Sequence, residues 1–308
     1  MKMIRMTCFV VMLFITAPLL LLDCPVFSQT ESPAVLQNGL GLRLFAVTDV
    51  GQPILRVVLP GRAFTDRTIQ VLVPEHVTAV KHGSTEAEHL YLPRAGSPID
   101  QTAWRSVGRN LEYERKLPGS IDMSVRVTLE EDGIRFQYEF TNRSSTSYDM
   151  IYAVTDPRLT GILHDVRMER TYVHHADGFD LLASDFPARL TVPLDRWLPC
   201  RVLASFTWPV PAQRVEKRED GITYYNKSRA VDVPLIVTQS SDKEWLVASF
   251  SRSPGNVWSN PELTCQHVDP QASLSPQQRI LLEVKMLVIR GTLDDALRTA
   301  IRQRESMK

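Results

Sequence analysis

The feature of the sequence that most constrains the fold is a pair of alternating segments between Ile121 and Thr141. Apolar residues occupy every second position up to Leu129 and again from Ile134, with polar residues between them. Side chains of a β-strand point to opposite faces in turn, so each segment has one apolar and one polar face. The turn residues between the segments are Glu131-Asp132-Gly133. The pattern predicts an antiparallel hairpin with one face on a core and the other in solvent.

Further strand-like runs occur on both sides of this hairpin. They are short, rich in β-branched and apolar residues, and separated by Gly, Pro and Asp, which typically form turns. Residues 81–108 lack such a pattern and contain Gly83, Pro93, Gly96 and Pro98, so we predict long loops there. The predicted strands are Leu40–Val47, Ile54–Leu59, Thr68–Val73, Met150–Val154, Arg189–Val192, Val202–Trp208, Leu235–Gln239, Trp245–Phe250 and Arg279–Ile289.

Helical periodicity appears only near the C-terminus. Thr292 precedes a stripe of apolar residues at helical spacing, and Asp295 completes a capping box with it. No internal repeat, low-complexity tract or Pro/Ser-rich linker divides the chain. We therefore predict one all-β, antiparallel domain at residues 36–305 that ends in one short helix.

The first 28 residues have the three parts of a cleavable export signal. Lys2 and Arg5 form a positive start, Cys8–Leu22 form an apolar core, and small residues lead to Ser28. The apolar core is shorter than the roughly 20 residues that a membrane-spanning helix needs. We therefore predict a secreted or periplasmic protein, with a disordered lead-in at residues 29–35. An uncleaved anchor and a lipoprotein modified at Cys24 are the alternatives.

Charge and cysteine content narrow the possible partners. The chain has 35 basic and 35 acidic residues, and this balance does not favour nucleic acid or an anionic membrane surface. After signal cleavage only Cys200 and Cys265 remain, and we predict a disulfide between them because exported proteins work in an oxidising compartment. Two buried, unpaired thiols are the alternative.

The sequence contains no nucleophile elbow, P-loop or dinucleotide fingerprint, and we expect no cofactor.

Three stretches of loosely patterned strands and turns follow one another along the chain. They run from Leu111-Glu112-Tyr113-Glu114 to Asn142-Arg143-Ser144, from Val233-Pro234-Leu235 to Val247-Ala248, and from Cys265-Gln266-His267-Val268-Asp269-Pro270 to Asp294-Asp295. Together they resemble the galactose-mutarotase-like β-supersandwich superfamily. The resemblance implies a large antiparallel two-sheet β-supersandwich that binds carbohydrate on a concave sheet face. Aldose mutarotases carry an Asn-His-x-x-Phe-Asn-type stretch and a C-terminal Glu base, and neither is recognisable here. The fold alone does not imply their activity.

A segment late in the chain holds the densest group of ligand-capable side chains. Trp258 offers an aromatic face to a sugar ring, and Asn260 and Glu262 offer hydrogen bonds to its hydroxyl groups. His267 and Asp269 share one strand face at period two, so the carboxylate can orient the imidazole for proton transfer. We predict the first three as ligand-binding residues and the last two as catalytic. The alternative is a His bonded within its own loop and a Trp in the core.

Two further segments have side chains suited to binding. Trp104 and Arg105 have polar neighbours, so we predict them as additional sugar-binding residues. A metal site in the His-rich segment is not favoured, because adjacent His residues on a strand point to opposite faces and the spacing matches no zinc signature. No metal is therefore predicted. The residues of that segment are His164, Asp165, His174, His175 and Asp177.

The sequence as a whole predicts an exported carbohydrate-binding protein with a mono- or oligosaccharide on the concave sheet face. Two alternatives stay open. One is a carbohydrate epimerase, lyase or hydrolase that uses the same surface. The other is a non-catalytic envelope interaction protein that uses the edges of the sandwich. No nucleic-acid partner and no membrane span after cleavage are expected, and the sequence does not indicate an oligomeric state.

Overall fold

The computed structural model of the protein describes residues 36–47, 51–63, 67–97 and 102–307. These residues all belong to one compact unit. The predicted export signal at residues 1–28 and the lead-in at residues 29–35 lie outside the described residues. Within the described ranges, no helix is long and apolar enough to cross a membrane.

Strands dominate the described part of the chain. The α-helices of the described residues are two single turns, α1 (Ala188–Thr191) and α2 (Leu194–Trp197), and the longer C-terminal α3 (Leu293–Arg304), and a 3₁₀ turn spans Gly161–Leu163. The strands are β1 (Leu36–Gln37), β2 (Arg43–Val47), β3 (Ile54–Val58), β4 (Ile69–Leu72), β5 (Val77–Lys81), β6 (Ala87–Tyr91), β7 (Arg105–Val107), β8 (Asn110–Leu117), β9 (Ile121–Glu130), β10 (Gly133–Asn142), β11 (Tyr148–Ala153), β12 (Asp156–Arg158), β13 (Thr171–His175), β14 (Gly178–Leu181), β15 (Cys200–Ser205), β16 (Val215–Lys217), β17 (Thr223–Asn226), β18 (Val233–Gln239), β19 (Leu246–Ser251), β20 (Asn256–Ser259), β21 (Gln271–Leu274) and β22 (Arg279–Ile289).

Hydrogen bonds join these strands into four sheets. A nine-stranded sheet has the order β14-β13-β18-β19-β22-β10-β9-β8-β7, and a five-stranded sheet has the order β1-β2-β3-β4-β12. Two four-stranded sheets have the orders β21-β11-β5-β6 and β16-β17-β15-β20. Pairing is antiparallel throughout the nine-stranded sheet, whereas β15 and β17 run parallel. The predicted all-β class is confirmed, and the strands form four hydrogen-bonded sheets among the described residues.

The predicted hairpin lies within the nine-stranded sheet. β9 and β10 pair from Gly133↔Glu130 to Asn142↔Ile121, and buried and partly exposed residues alternate along β9. Gly133 has a φ of +152°, and a Cβ at this position would lie 2.1 Å from the carbonyl oxygen of Met286 in β22. The turn therefore needs glycine for its backbone conformation and for the close approach of the next strand.

One main hydrophobic core is shared by the sheets. It includes Leu55 of the five-stranded sheet, Ala79 of a four-stranded sheet and Phe136 of the nine-stranded sheet, all fully buried. Full burial of a large apolar side chain stabilises the fold by roughly 1.5–3 kcal/mol. The polar groups described below are therefore held by strands that are fixed by this core.

A second, smaller apolar cluster lies between α3 and the nine-stranded sheet. Ala296 and Ala300 of α3 pack with residues of β18, β19 and β22. Thr292 caps this helix, and its reciprocal hydrogen bonds with Asp295 confirm the predicted capping box. Because one part of the nine-stranded sheet is covered on both sides, every residue of β19 is buried.

Two local predictions differ from the structure. Residues 189–192, predicted as a strand, belong mostly to the helical turn α1, which lies between Pro187 and Pro193. The segment 81–108, predicted as long loops, contains β6 and β7. Much of β6 and all of β7 are exposed, so they lack the apolar alternation by which the other strands were recognised.

Candidate functional site

The candidate site is built around residues 264–268, which run between β12 and β20. On one side, Cys265 forms an antiparallel bridge with Arg158 of β12. On the other side, the backbone amides of Trp258 and His267 each donate to the carbonyl oxygen of the other, at 3.0 and 2.9 Å. The segment thereby connects the five-stranded sheet to a four-stranded sheet.

Alternate side chains of this segment point to opposite sides. The amide group of Gln266 donates to Thr238 Oγ1 at 3.0 Å and to the carbonyl oxygen of Val247 at 2.9 Å, both in the nine-stranded sheet. Its carbonyl oxygen accepts a hydrogen bond from Ser249 at 2.8 Å. Because Gln266 is fixed in this way, Cys265 and His267 are directed to the other side, as period two requires.

His267 lies between two carboxylates. Its Nε2 is 3.4 Å from Oδ1 of Asp156, and its Nδ1 is 3.5 Å from Oδ2 of Asp269. The His267 and Asp156 side chains are almost fully buried, and that of Asp269 is only slightly exposed. The predicted proximity of His267 and Asp269 is thus present, and Asp156 adds a partner that the sequence did not indicate.

The charge state of this group follows from burial and proximity. Burial alone would lower the pKa of His267, but Asp156 and Asp269 raise it well above its ordinary value. Burial alone would raise the pKa of Asp156, but His267 and Arg158 lower it to about 2. The pKa of Asp269 is raised, chiefly by burial and also by Asp156. The imidazole is therefore positively charged, with Asp156 as its counter-ion.

Cys265 belongs to the same group. Its Sγ, an oxygen of Asp156 and a ring nitrogen of His267 all lie within 4.8 Å of one another. Burial, with a smaller effect of Asp156, raises the pKa of the thiol to about 12. Cys265 is consequently a neutral thiol here and a weak nucleophile.

The predicted Cys200–Cys265 disulfide is wrong, because both cysteines are free and buried. The Cys265 side chain faces Asp156 and His267. Cys200 begins β15, and its amide donates to Glu262 at 3.4 Å. The two thiols therefore have separate surroundings, although the sequence left them as the natural pair of an exported chain.

Arg158 connects the buried group to the surface. Its Nε donates to Oδ2 of Asp156 at 2.6 Å, and its Nη2 donates to Oε1 of Glu75 at 3.2 Å. Burial and the charge of Asp156 raise the pKa of Glu75. Next to Glu75, burial and the neighbouring His89 lower the pKa of His76 to about 4, so this imidazole is neutral at physiological pH.

A surface cavity of about 300 Å³ opens beside Arg158. Arg56, Gln70 and Arg158 are opposite one another across β3, β4 and β12, so their side chains share one face of the five-stranded sheet. Glu262 lines the cavity from the neighbouring segment. The remaining lining residues are Thr68, Leu159, Thr160, His164 and Leu263. We call this the Arg158 cavity.

The three predicted sugar-binding residues that precede His267 in sequence have different surroundings. Trp258 stacks on His267 with ring centroids 3.7 Å apart and 8° between the planes, so this indole face is covered. Asn260 is buried, and its Oδ1 has no hydrogen-bond partner among the described residues. Glu262 forms an ion pair with Arg201 at 2.7 Å and lines the Arg158 cavity. Of these three, Glu262 reaches the cavity.

Trp104 and Arg105 lie elsewhere, at the β7 edge of the nine-stranded sheet. The indole of Trp104 packs edge-on against Tyr113 at 4.8 Å between centroids. Arg105 pairs with Glu114 at 3.1 Å and lines a shallow groove on the polar face of that sheet, together with Glu112. The structure therefore offers two separate polar surfaces, the Arg158 cavity and this sheet groove.

The His-rich segment is dispersed among structural contacts. His174 Nδ1 lies 2.7 Å from Asp232, and His175 Nδ1 lies 2.7 Å from the carbonyl oxygen of Ala230. Asp165 accepts hydrogen bonds from the backbone amides of Glu169 and Arg170. Asp165, His174 and His175 therefore have structural partners, and Asp177 pairs with Arg229, whereas His164 lines the Arg158 cavity.

Sequence reasoning missed Asp156, Arg158 and Glu75. Asp156-Pro157-Arg158 reads as a turn, because Asp and Pro are common turn residues, yet it forms β12. Glu75 follows a Pro and also reads as part of a turn. The only sequence signal for these residues was the spacing of Asp156 and Arg158. Residues two positions apart on a strand have their side chains on the same face.

Among known proteins, matches to this chain were found only in solved structures. No family model and no curated protein matches the chain. Among solved structures, it is similar to the GalM/aldose epimerase homologue from C. elegans, with 12% identity and a TM-score of 0.47, over 83% of this chain and 98% of that one. A galactose mutarotase-like protein from Lactobacillus casei matches with 10% identity and a TM-score of 0.47, over 82% and 99% of the two chains. A putative aldose 1-epimerase from Escherichia coli K12 matches with 9% identity and a TM-score of 0.39, over 82% and 100%.

The names of these three structures refer to galactose mutarotase or aldose epimerase. With identities of 9–12% and TM-scores below 0.5, the ligand and chemistry of this chain have to be argued from its own residues.

Proposed function

We propose that this chain is an exported carbohydrate-binding protein and that it binds a sugar in the Arg158 cavity. The observation that carries the proposal is the row of Arg56, Gln70 and Arg158 along one face of the five-stranded sheet. Glu262 completes the polar lining. Small-ligand sites typically occupy about 300–1,000 Å³, and this cavity is at the lower end of that range.

The lining chemistry suits a ring of neutral hydroxyl groups. Guanidinium groups donate hydrogen bonds, a carboxylate accepts them, and the amide of Gln70 does both. Vicinal hydroxyls of a sugar both donate and accept, so they can satisfy all three kinds of group. The hydrogen bond from Arg158 to the buried Asp156 also fixes one donor before the ligand arrives, which reduces the entropy cost of binding.

The proposal can be tested on a glycan array with purified protein and two matched variants. Gln70→Ala removes an amide from the Arg158 cavity, and Arg105→Ala removes a guanidinium from the sheet groove. We expect wild-type binding to at least one mono- or oligosaccharide, at least tenfold weaker binding by Gln70→Ala, and unchanged binding by Arg105→Ala.

The other outcomes separate the alternatives. Loss of binding in Arg105→Ala alone would move the sugar to the sheet groove, which is the surface that the sequence prediction included. Absence of binding to every glycan would contradict the carbohydrate proposal and favour the envelope interaction protein. Circular dichroism of both variants is the control for folding.

A carbohydrate epimerase, lyase or hydrolase is the second candidate function. The contacts of His267 with Asp156 and Asp269 favour it, because buried ionisable groups held together beside a cavity are typical of catalytic centres. The measurement is an assay of the array hits for a new anomer, an unsaturated product or a new reducing end. If none appears with wild-type protein, the chain is a binding protein.

Export is proposed from the N-terminal residues alone. The charged start, short apolar core and small residues before Ser28 support it. Mass spectrometry of the protein recovered from the cell envelope and the medium would measure the mature N-terminus. We expect cleavage near Ser28, and intact protein confined to the cytoplasm would contradict export.

A further inference from the structure

Asp156, Cys265 and His267 present three different donor types at one buried point. A carboxylate oxygen, a thiol sulfur and an imidazole nitrogen lie within 4.8 Å of one another. They come from two parts of the chain, since Asp156 belongs to β12 and the other two residues to the segment that pairs with it. The donors are therefore fixed by strand pairing.

A second observation concerns the hydrogen bonding of Asp156. Its side chain is 1% exposed, and Oδ1 has no hydrogen-bond partner among the described residues. The other oxygen, Oδ2, accepts from Arg158 at 2.6 Å. A buried carboxylate oxygen without a hydrogen bond is costly, and Oδ1 faces the Nε2 atom of His267 at 3.4 Å. Oδ1 therefore has an ion-pair contact with His267 but no full hydrogen bond, and it borders the space between the Cys265 and His267 side chains.

Asp269 lies where a carboxylate that orients a metal-bound histidine commonly lies, beside the ring nitrogen that does not bind the metal. It lies 3.5 Å from Nδ1 of His267, on the side of the ring opposite Asp156. Metal-ligating histidines typically direct their second nitrogen to a carboxylate, which sets the tautomer and the ring orientation. With Asp269 at Nδ1, the remaining Nε2 is the metal-binding atom.

We propose that Asp156, Cys265 and His267 bind one transition metal ion of the Zn²⁺ type. The ligand atoms are Oδ1 of Asp156, Sγ of Cys265 and Nε2 of His267, with Asp269 orienting the imidazole. Sulfur and nitrogen donors favour Zn²⁺ and Co²⁺ over Mg²⁺ and Ca²⁺, which prefer oxygen. Three protein ligands leave a fourth position for water or a ligand.

A metal ion binds a thiolate and a neutral imidazole, so its binding is linked to proton release and depends on pH. The nearby Arg158 guanidinium is already paired with Asp156 and Glu75, and it remains paired when the metal binds.

The metal site is independent of the proposed sugar binding. Of the residues discussed for the metal, only Arg158 also lines the cavity, and it is not a ligand. If the metal is bound, His267 serves as one of its ligands.

Titration of the purified, chelator-treated protein with Co²⁺ tests the proposal. A cobalt–thiolate bond gives a charge-transfer absorption that appears only when sulfur is a ligand. We expect this absorption to saturate at one Co²⁺ per chain in wild type and to be absent in Cys265→Ser. Cys200→Ser is the matched control, because Cys200 is also buried and free but is not among the three donors. It should retain the absorption.

Asp269→Asn tests the outer partner without removing a ligand. It should keep the absorption and weaken Co²⁺ or Zn²⁺ binding about 10–100-fold. If wild type gives no thiolate charge transfer, or if the absorption persists in Cys265→Ser, the metal site is refuted. Loss of the absorption in Cys200→Ser instead would also refute it. Metal binding is measured without any sugar, so this result is separate from the glycan array.

Discussion

Single buried charges show most clearly how individual residues hold this fold together. The Lys227 ammonium is fully buried and donates to Asp180 at 2.8 Å, to Ser184 at 2.6 Å and to the carbonyl oxygen of Leu181 at 3.0 Å. Asp185 lies 3.5 Å away. This lysine, from the end of β17, therefore fixes the loop that follows β14.

Replacement of Lys227 should be strongly destabilising. Lys227→Met keeps the side-chain volume but removes the hydrogen bonds of the ammonium to Asp180 and Ser184. Because Asp180 and Asp185 are partly exposed and Arg229 also lies 3.7 Å from Asp180, we expect a loss of about 1.5–3 kcal/mol. Lys217→Met, at an exposed position, is the matched control and should change stability by less than about 0.5 kcal/mol. Urea unfolding followed by fluorescence measures both. Equal stability of the two variants would contradict the role of Lys227.

The same loop predicts a pH effect. Burial alone would raise the pKa of Asp185, but hydrogen bonds from Ser228 and the charge of Lys227 lower it to about 2. Unfolded Asp has a pKa of about 3.9, so its stabilising effect is complete above that pH and is lost as the pH falls towards 2. Asp185→Asn should therefore flatten the decline in unfolding free energy between about pH 4 and pH 2 relative to wild type. An unchanged slope would contradict this pKa.

Sequence patterns located part of the site at residue scale. The alternation of side chains along an extended segment correctly predicted that His267 and Asp269 lie close together. Asp156 was missed because it comes from another sheet, and strand pairing across sheets leaves no local signal. Trp258 was predicted to contact a sugar because nothing in the sequence showed that His267 covers its ring. This contact, too, joins segments whose pairing leaves no local signal.

Turns and strand pairs determine how the elements fit together. The β9–β10 turn is held by two neighbouring elements. Lys285 of β22 forms ion pairs with Glu130 and Asp132. Gln303 of α3 also donates to Asp132, at 2.5 Å. The C-terminal helix is thus connected to the hairpin by polar contacts as well as by its apolar face.

The close approach of β22 makes Gly133 sensitive to substitution. Gly133→Ala should lower the free energy of unfolding by well over about 1 kcal/mol, because it adds backbone strain and a clash with Met286. Gly83→Ala is the matched control, since its φ is also positive but a Cβ would meet nothing within 4 Å. Thermal unfolding of both variants separates the clash from the strain. Similar losses in the two variants would mean that the approach of β22 has no effect.

The elements that sequence analysis found are those with strong local patterns. The hairpin alternation and the Thr292–Asp295 capping box were both predicted, because each depends on residues close in sequence. β7 was missed because it is exposed throughout, and β6 because its exposed and buried residues do not alternate. α1 was predicted as a strand because a four-residue turn contains too few residues to show helical periodicity.

At the scale of the whole molecule, four sheets share one main core. Residues from all four contribute to the same buried cluster, including Leu44, Val77, Val125 and Val202. We therefore predict a single cooperative unfolding transition in calorimetry, with equal calorimetric and van't Hoff enthalpies. Two resolved transitions would contradict the single domain predicted for residues 36–305.

The central claim is that a sugar binds in the Arg158 cavity, and hydrogen–deuterium exchange with a bound glycan tests it most directly. The protein is compared with and without the best ligand from the array, at a ligand concentration that saturates binding. We predict slower exchange in peptides that contain Gln70, Thr160 and Leu263, with no change at Arg105 or Glu114. Protection at Arg105 and Glu114, with none around Gln70, would contradict the claim.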